Sequence, residues 1–117
     1  MSVRLNGGSF VSSSYSSGLF DGSSDFNIGA FNDGSSSLFL GGLGFIGLWD
    51  RSLSDSEVDV MYNSGVARRY TAIPQSIING MQGYWELESN GNDSHGSNNL
   101  INTGNTPFDS TGLSAIS

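Results

Sequence analysis

Apolar residues along this chain come in short clusters separated by glycine, serine and asparagine, a rhythm that predicts short strands and turns rather than long helices. Residues 3–5 read as a strand, closed by Asn6-Gly7-Gly8, a turn that admits positive φ, with a hairpin into Ser9-Phe10-Val11. Residues 12–24 are rich in serine and glycine yet carry Tyr15 and Phe20, which suits a long loop or irregular edge strand better than a linker. Phe26-Asn27-Ile28 alternates apolar and polar positions, Asn32-Asp33-Gly34 marks a turn, and Leu38-Phe39-Leu40 and residues 45–49 are expected strands. Gly41-Gly42 bends the chain between them. The period then changes. Ser54 with Glu57 forms a capping box, Val58, Met61 and Tyr62 share one helical face, and Gly65 supplies a left-handed stop, so one short helix is expected from Ser54 to Asn63. Pro74 holds Ile73 extended, Asn79-Gly80 turns the chain, and Tyr84-Trp85-Glu86-Leu87 alternates as an aromatic strand. A polar loop follows over residues 90–99, with Leu100, Ile101 and Phe108 as the last apolar anchors before the small polar run 112–117.

Composition narrows the class to all-β. The 117 residues include 17 glycines and no cysteine, so neither a disulfide framework nor a thiolate metal site is available. Absence of cysteine in an extracellular module of this size points toward a bacterial or viral source. A formal charge of −7 against only 4 basic residues excludes a phosphate-tracking surface, so nucleic acid is not an expected partner. No apolar run approaches the roughly 20 residues that span a bilayer, and membrane insertion is not expected.

Several segments carry a family resemblance. Gly44-Phe45-Ile46-Gly47-Leu48-Trp49-Asp50-Arg51, with Leu53 to Val58 and Met61-Tyr62-Asn63-Ser64-Gly65, resembles the closing signature of laminin-G-like domains, members of the concanavalin A-like lectin/glucanase superfamily. Val3-Arg4-Leu5-Asn6-Gly7 and Phe26-Asn27-Ile28-Gly29 resemble earlier strands of the same module. Met81-Gln82-Gly83-Tyr84-Trp85-Glu86-Leu87-Glu88 and the residues from Asn92 to Leu100 resemble the opening of such a domain. The resemblance implies an antiparallel jelly-roll β-sandwich of concanavalin A-like type. Residues 1–72 would form the C-terminal part of one module, 73–80 a connector, and 81–117 the N-terminal part of the next. A stretch of a tandem array is the favoured explanation; a permuted fold and a half-sandwich completed by another chain are the alternatives. The motifs are most similar to repeats in large virion-associated proteins of bacterial viruses, so an extracellular or virion surface is the expected setting.

Candidate chemistry is sparse. Trp85, Tyr84, Tyr15 and Trp49 are eligible to stack on sugar rings, although Trp49 and Trp85 sit in apolar strand patterns typical of core while Tyr15 lies in a polar loop. The superfamily often holds calcium, for which Asp93, Glu88, Asn92 and Asn98 are the candidates, with Asp21, Asp25 and Asp33 behind them; an Asp among Asn, Ser and Gly also reads simply as a turn. Glu86 and Glu88 are two apart, as in glycosidases of the superfamily, but lack their surrounding motif and occupy an opening strand. His95 lies in a polar turn and reads as structural, Arg51 is placed to pair with Glu57 or Asp55, and Arg68 and Arg69 read as solvating the connector or touching an adjacent module. The expected function is therefore non-enzymatic: recognition of glycan or another host-surface ligand, or else structural decoration or a fibre component contacting neighbouring modules or identical chains. No cofactor is expected beyond that open question of calcium.

Overall fold

A computed structural model of the chain describes residues 1–17, 22–23, 25–30, 37–103, 107–108 and 115–116. The chain divides into two compact units, Met1–Phe39 and Leu40–Ser117. In the first, β1 (Ser2–Val3) pairs antiparallel with β2 (Val11–Ser12), in the register Ser2 to Ser12 and Val3 to Val11. The turn is the expected one: Asn6 and Gly7 both take positive φ, 48° and 68°, and the Gly8 N–H closes onto the Leu5 carbonyl at 2.9 Å. Arg4 stacks its guanidinium over the Phe10 ring at 5.1 Å. Val3, Leu5, Val11, Phe26, Leu38 and Phe39 stay exposed.

The second unit is built on a ribbon of two strands, β3 (Ile46–Trp49) and β5 (Met81–Trp85), paired antiparallel from Ile46 opposite Trp85 to Trp49 opposite Met81. Each strand carries a Gly-x-Trp run, and the tryptophan ring folds back over the glycine two residues before it on the same face. A Cβ on Gly47 would fall 2.4 Å from the Trp49 ring, and one on Gly83 would fall 2.5 Å from the Trp85 ring. Both indoles are then pinned by their N–H groups. Trp49 Nε1 donates to the Ile77 carbonyl at 2.7 Å and Trp85 Nε1 to the Asn98 carbonyl at 2.8 Å.

Between these strands the chain packs back on itself. α1 (Asp55–Tyr62) has the expected capping box, with Ser54 and Glu57 each accepting the other's backbone N–H. It buries no residue fully: Val58 and Met61 are half-buried and Tyr62 is exposed. Its stop comes before Gly65, because Asn63 already adopts the left-handed conformation (φ 47°). Strand β4 (Ala67–Arg68), a 3-10 turn over Tyr70–Ala72 and the short helix α2 (Gln75–Ile78) follow, and β4 pairs in parallel with β6 (Ala115–Ile116). Ile73 and Ile77, from the expected connector, join Met81 and Tyr84 as the buried core, with Phe45, Trp49, Leu53, Met61, Tyr70 and Ile78 packed around them.

The expected jelly-roll β-sandwich is overturned. Among the described residues the strands form two-stranded sheets only, two antiparallel and one parallel, accompanied by short helices. A sandwich needs two multi-stranded layers with continuous inward apolar faces. The longest strand among the described residues has 5 residues. Residues 26–28 and 38–40 are irregular rather than strands. Phe45 and Leu87, at φ 55° and 61°, end the central ribbon where the sequence pattern continues it. The turn at Asn32-Asp33-Gly34, together with Phe20, Asp21 and residues 112–114, lies outside the described residues.

Replacing Trp49 by Phe keeps an aromatic body but removes the donor to the Ile77 carbonyl. Urea unfolding should show a loss of about 1–3 kcal/mol, and unchanged stability would mean that this bond does not hold the ribbon to α2.

Candidate functional site

The loop after β5 is organised by one carboxylate. Asp93 is buried, and its Oδ1 accepts the backbone N–H groups of Tyr84 and His95, each at 3.0 Å, while Oδ2 accepts that of Asn98 at 3.1 Å. Burial alone would raise its pKa, but the N–H groups of Tyr84, His95, Asn98 and Gly96 together prevail and hold it below the ordinary value. The Asp93 N–H in turn donates to Asn99 Oδ1 at 2.9 Å, the Ser94 N–H to the Tyr84 carbonyl at 2.8 Å, and Asn98 Nδ2 to the Gln82 carbonyl at 3.1 Å. The result is a closed loop docked along the outer edge of β5 without any regular strand.

Beside this loop lies a cleft of about 260 Å3. Its floor is ionic. Arg69 Nη1 donates to Glu86 Oε2 at 3.0 Å, Nη2 pairs with Glu88 Oε2, and the Tyr70 N–H donates to Glu86 Oε1 at 2.8 Å. Glu86 and Glu88 both reach Arg69, with the left-handed Leu87 between them. Asn90, Asn92 and Ser94 line the rim. Asn90 is engaged locally, accepting the Asn92 N–H at 2.9 Å, whereas the Asn92 amide and the Ser94 hydroxyl make no side-chain hydrogen bond among the described residues.

The aromatic candidates divide sharply. Tyr84 and Trp85 are buried, at 1% and 3% exposure, so neither has a face free for a sugar ring. Tyr84 donates its hydroxyl to the Arg68 carbonyl at 2.6 Å, and burial, reinforced by Glu86, pushes its phenol up to about 12. Trp49 packs against the core, and Tyr15 in the first unit is exposed. His95 accepts or donates at Nδ1 with the Tyr70 hydroxyl at 3.1 Å and meets that ring edge-on.

Of the calcium candidates, Asp93 spends both oxygens on backbone N–H groups, Glu88 is tied to Arg69, and Asn98 is bonded to Gln82. Among the described residues no group of three or more His, Asp and Glu side chains is placed to hold a metal. Asp25 lies in the first unit, and Asp21 and Asp33 lie outside the described residues.

Arg51 makes the expected pair with Glu57, and Arg51 and Arg68 also bond to carbonyls that the sequence pattern does not indicate. Arg51 grips Glu57 through both terminal nitrogens, at 3.0 and 2.8 Å, and also donates to the carbonyls of Asn79 at 2.7 Å and Ser76 at 3.0 Å. Together with the Ser54 N–H, that grip holds the Glu57 carboxyl down at about 2. Arg68 caps the end of α1, donating to the Val60 carbonyl at 2.6 Å and to Asn63 Oδ1 at 3.2 Å. No family model, curated protein or solved structure matches the chain.

Both depressed carboxyls stabilise the fold above their ordinary values and lose that contribution as pH falls through their folded values. Glu57 therefore predicts urea midpoints that are level above about pH 5 and fall between the ordinary 4.5 and about 2, with Asp93 adding in the same direction; a flat profile down to pH 2 would contradict the assignment. Asp93→Ala leaves buried N–H groups without an acceptor and should cost about 1–3 kcal/mol. Hydrogen exchange should then accelerate at Tyr84, His95, Gly96 and Asn98 together, and unchanged protection at those amides would refute Asp93 as their common acceptor.

Proposed function

We propose that this chain is a non-enzymatic recognition module of an extracellular or virion surface, which binds hydroxyl-rich ligands such as glycans at the cleft beside the Asp93 loop. The carrying observation is the pairing of a fixed ionic floor, Arg69 with Glu86 and Glu88, with an Asn92 amide and a Ser94 hydroxyl on the rim that make no side-chain hydrogen bond among the described residues. Amides and hydroxyls on a rigidly held loop bind sugar hydroxyls without prior rearrangement. Because Trp85 is buried and Trp49 is packed against the core, recognition here is by hydrogen bonding rather than by ring stacking. The laminin-G-like resemblance belongs to the same proposal: two of the segments that carry it, around β3 and β5, are neighbours in one ribbon.

A second reading, structural decoration or fibre assembly, is favoured by one feature. The first unit exposes Val3, Leu5, Val11, Phe26, Leu38 and Phe39, which suits contact with neighbouring chains.

Titrating the isotopically labelled chain with D-glucose, D-galactose and D-mannose should shift the amides of Asn90, Asn92 and Ser94, with Kd on the order of 1 mM. Asn92→Ala should weaken binding by about fivefold through loss of one hydrogen-bonding group. Shifts confined to other residues, or none, would overturn the cleft as the binding surface.

A further inference from the structure

Granted that the cleft takes a hydroxylated ligand, as proposed above, its floor decides which charge that ligand carries. We propose that the cleft selects amine-bearing and neutral sugars over acidic ones. Arg69 is the one cation lining it among the described residues, and two carboxylates already claim it. The floor thus carries one net negative charge, within a chain of formal charge −7.

The two carboxylates are not equivalent. Both oxygens of Glu86 are engaged, one by Arg69 and the other by the Tyr70 N–H. Glu88 is engaged through Oε2 alone. Its second oxygen makes no hydrogen bond among the described residues and is not sealed from solvent, although the side chain is only 11% exposed. An ammonium group on a sugar ring finds an open, partly desolvated acceptor there, while its hydroxyls face Asn92 and Ser94. A sugar carboxylate meets the opposite situation. To reach Arg69 it must displace Glu86 or Glu88 and leave that carboxylate unpaired in a largely covered position.

The test is a set of parallel titrations of the intact chain with D-glucosamine, D-glucose and D-glucuronate, near pH 6 and at low ionic strength, read at the Asn90, Asn92 and Ser94 amides. Affinity should fall in that order by about fivefold per step, the worth of one unit charge at close range in a water-like medium. Raising salt to about 0.15 M should compress the series. Glu88→Gln should bring glucosamine level with glucose and strengthen glucuronate. If that variant does not fold, the wild-type order and its salt dependence decide. Glucuronate binding as well as glucose or better, or an order indifferent to salt, overturns the charge selection while leaving sugar binding intact. Absence of shifts with all three sugars removes the cleft's sugar reading and this inference with it.

Discussion

Two strands alone do not make a stable structure in water, and the second unit of this protein rests on how it meets that constraint. Among the described residues its ribbon has no third strand to cover it. Each strand instead lays a tryptophan over its own glycine, and each indole N–H is bonded to a carbonyl from a different segment, Ile77 in α2 and Asn98 in the following loop. The ribbon is thereby clasped from both sides by side chains rather than by sheet hydrogen bonds. Neighbouring polar side chains act in the same way: the Tyr84 hydroxyl on Arg68, Arg51 on Ser76 and Asn79, and Asp93 on the loop. A small apolar core of Ile73, Ile77, Met81 and Tyr84 fills the space these clasps define.

The cleft is a consequence of the same design. Leu87 turns left-handed just past β5 and ends the strand, and Glu86 and Glu88 on either side of it both reach Arg69. Because Asp93 then gathers backbone N–H groups from both sides of its loop, Asn92 and Ser94 are presented on a fixed frame with their side chains outward. Ribbon, loop and cleft are one mechanical unit. Loss of the Asp93 carboxylate should therefore reach the cleft without any contact to a ligand.

Local signals were legible in the sequence where a single backbone requirement had a single chemical answer. The Ser54–Glu57 capping box and the Asn6-Gly7 turn are of this kind. The sequence pattern puts the helix stop two residues late, because Asn63 is a less familiar left-handed residue than Gly65 but tolerates the conformation. The sandwich was misread for a physical reason: alternation in a short run shows that one face is apolar, not that a second sheet exists to cover it. Val3 and Phe26 alternate with polar residues and remain exposed. The paired Gly-x-Trp runs were visible in the letters, and a small residue two places before a large ring on the same strand face was the signal that each tryptophan covers its own backbone. Arg69 and Asp93 were harder to place. What an isolated charge bonds to depends on which segments meet, and composition and spacing do not encode that meeting.

The most direct measurement compares Gly→Ala at three positions by equilibrium unfolding. A Cβ at Gly42 meets nothing within 4 Å, whereas at Gly47 and Gly83 it would collide with rings held in place by their N–H bonds. Gly42→Ala should change stability by less than about 0.5 kcal/mol, and Gly47→Ala and Gly83→Ala should each lose about 1–3 kcal/mol. Equal stabilities for all three variants would mean that the tryptophans do not clasp the ribbon, and the account built on them would fail.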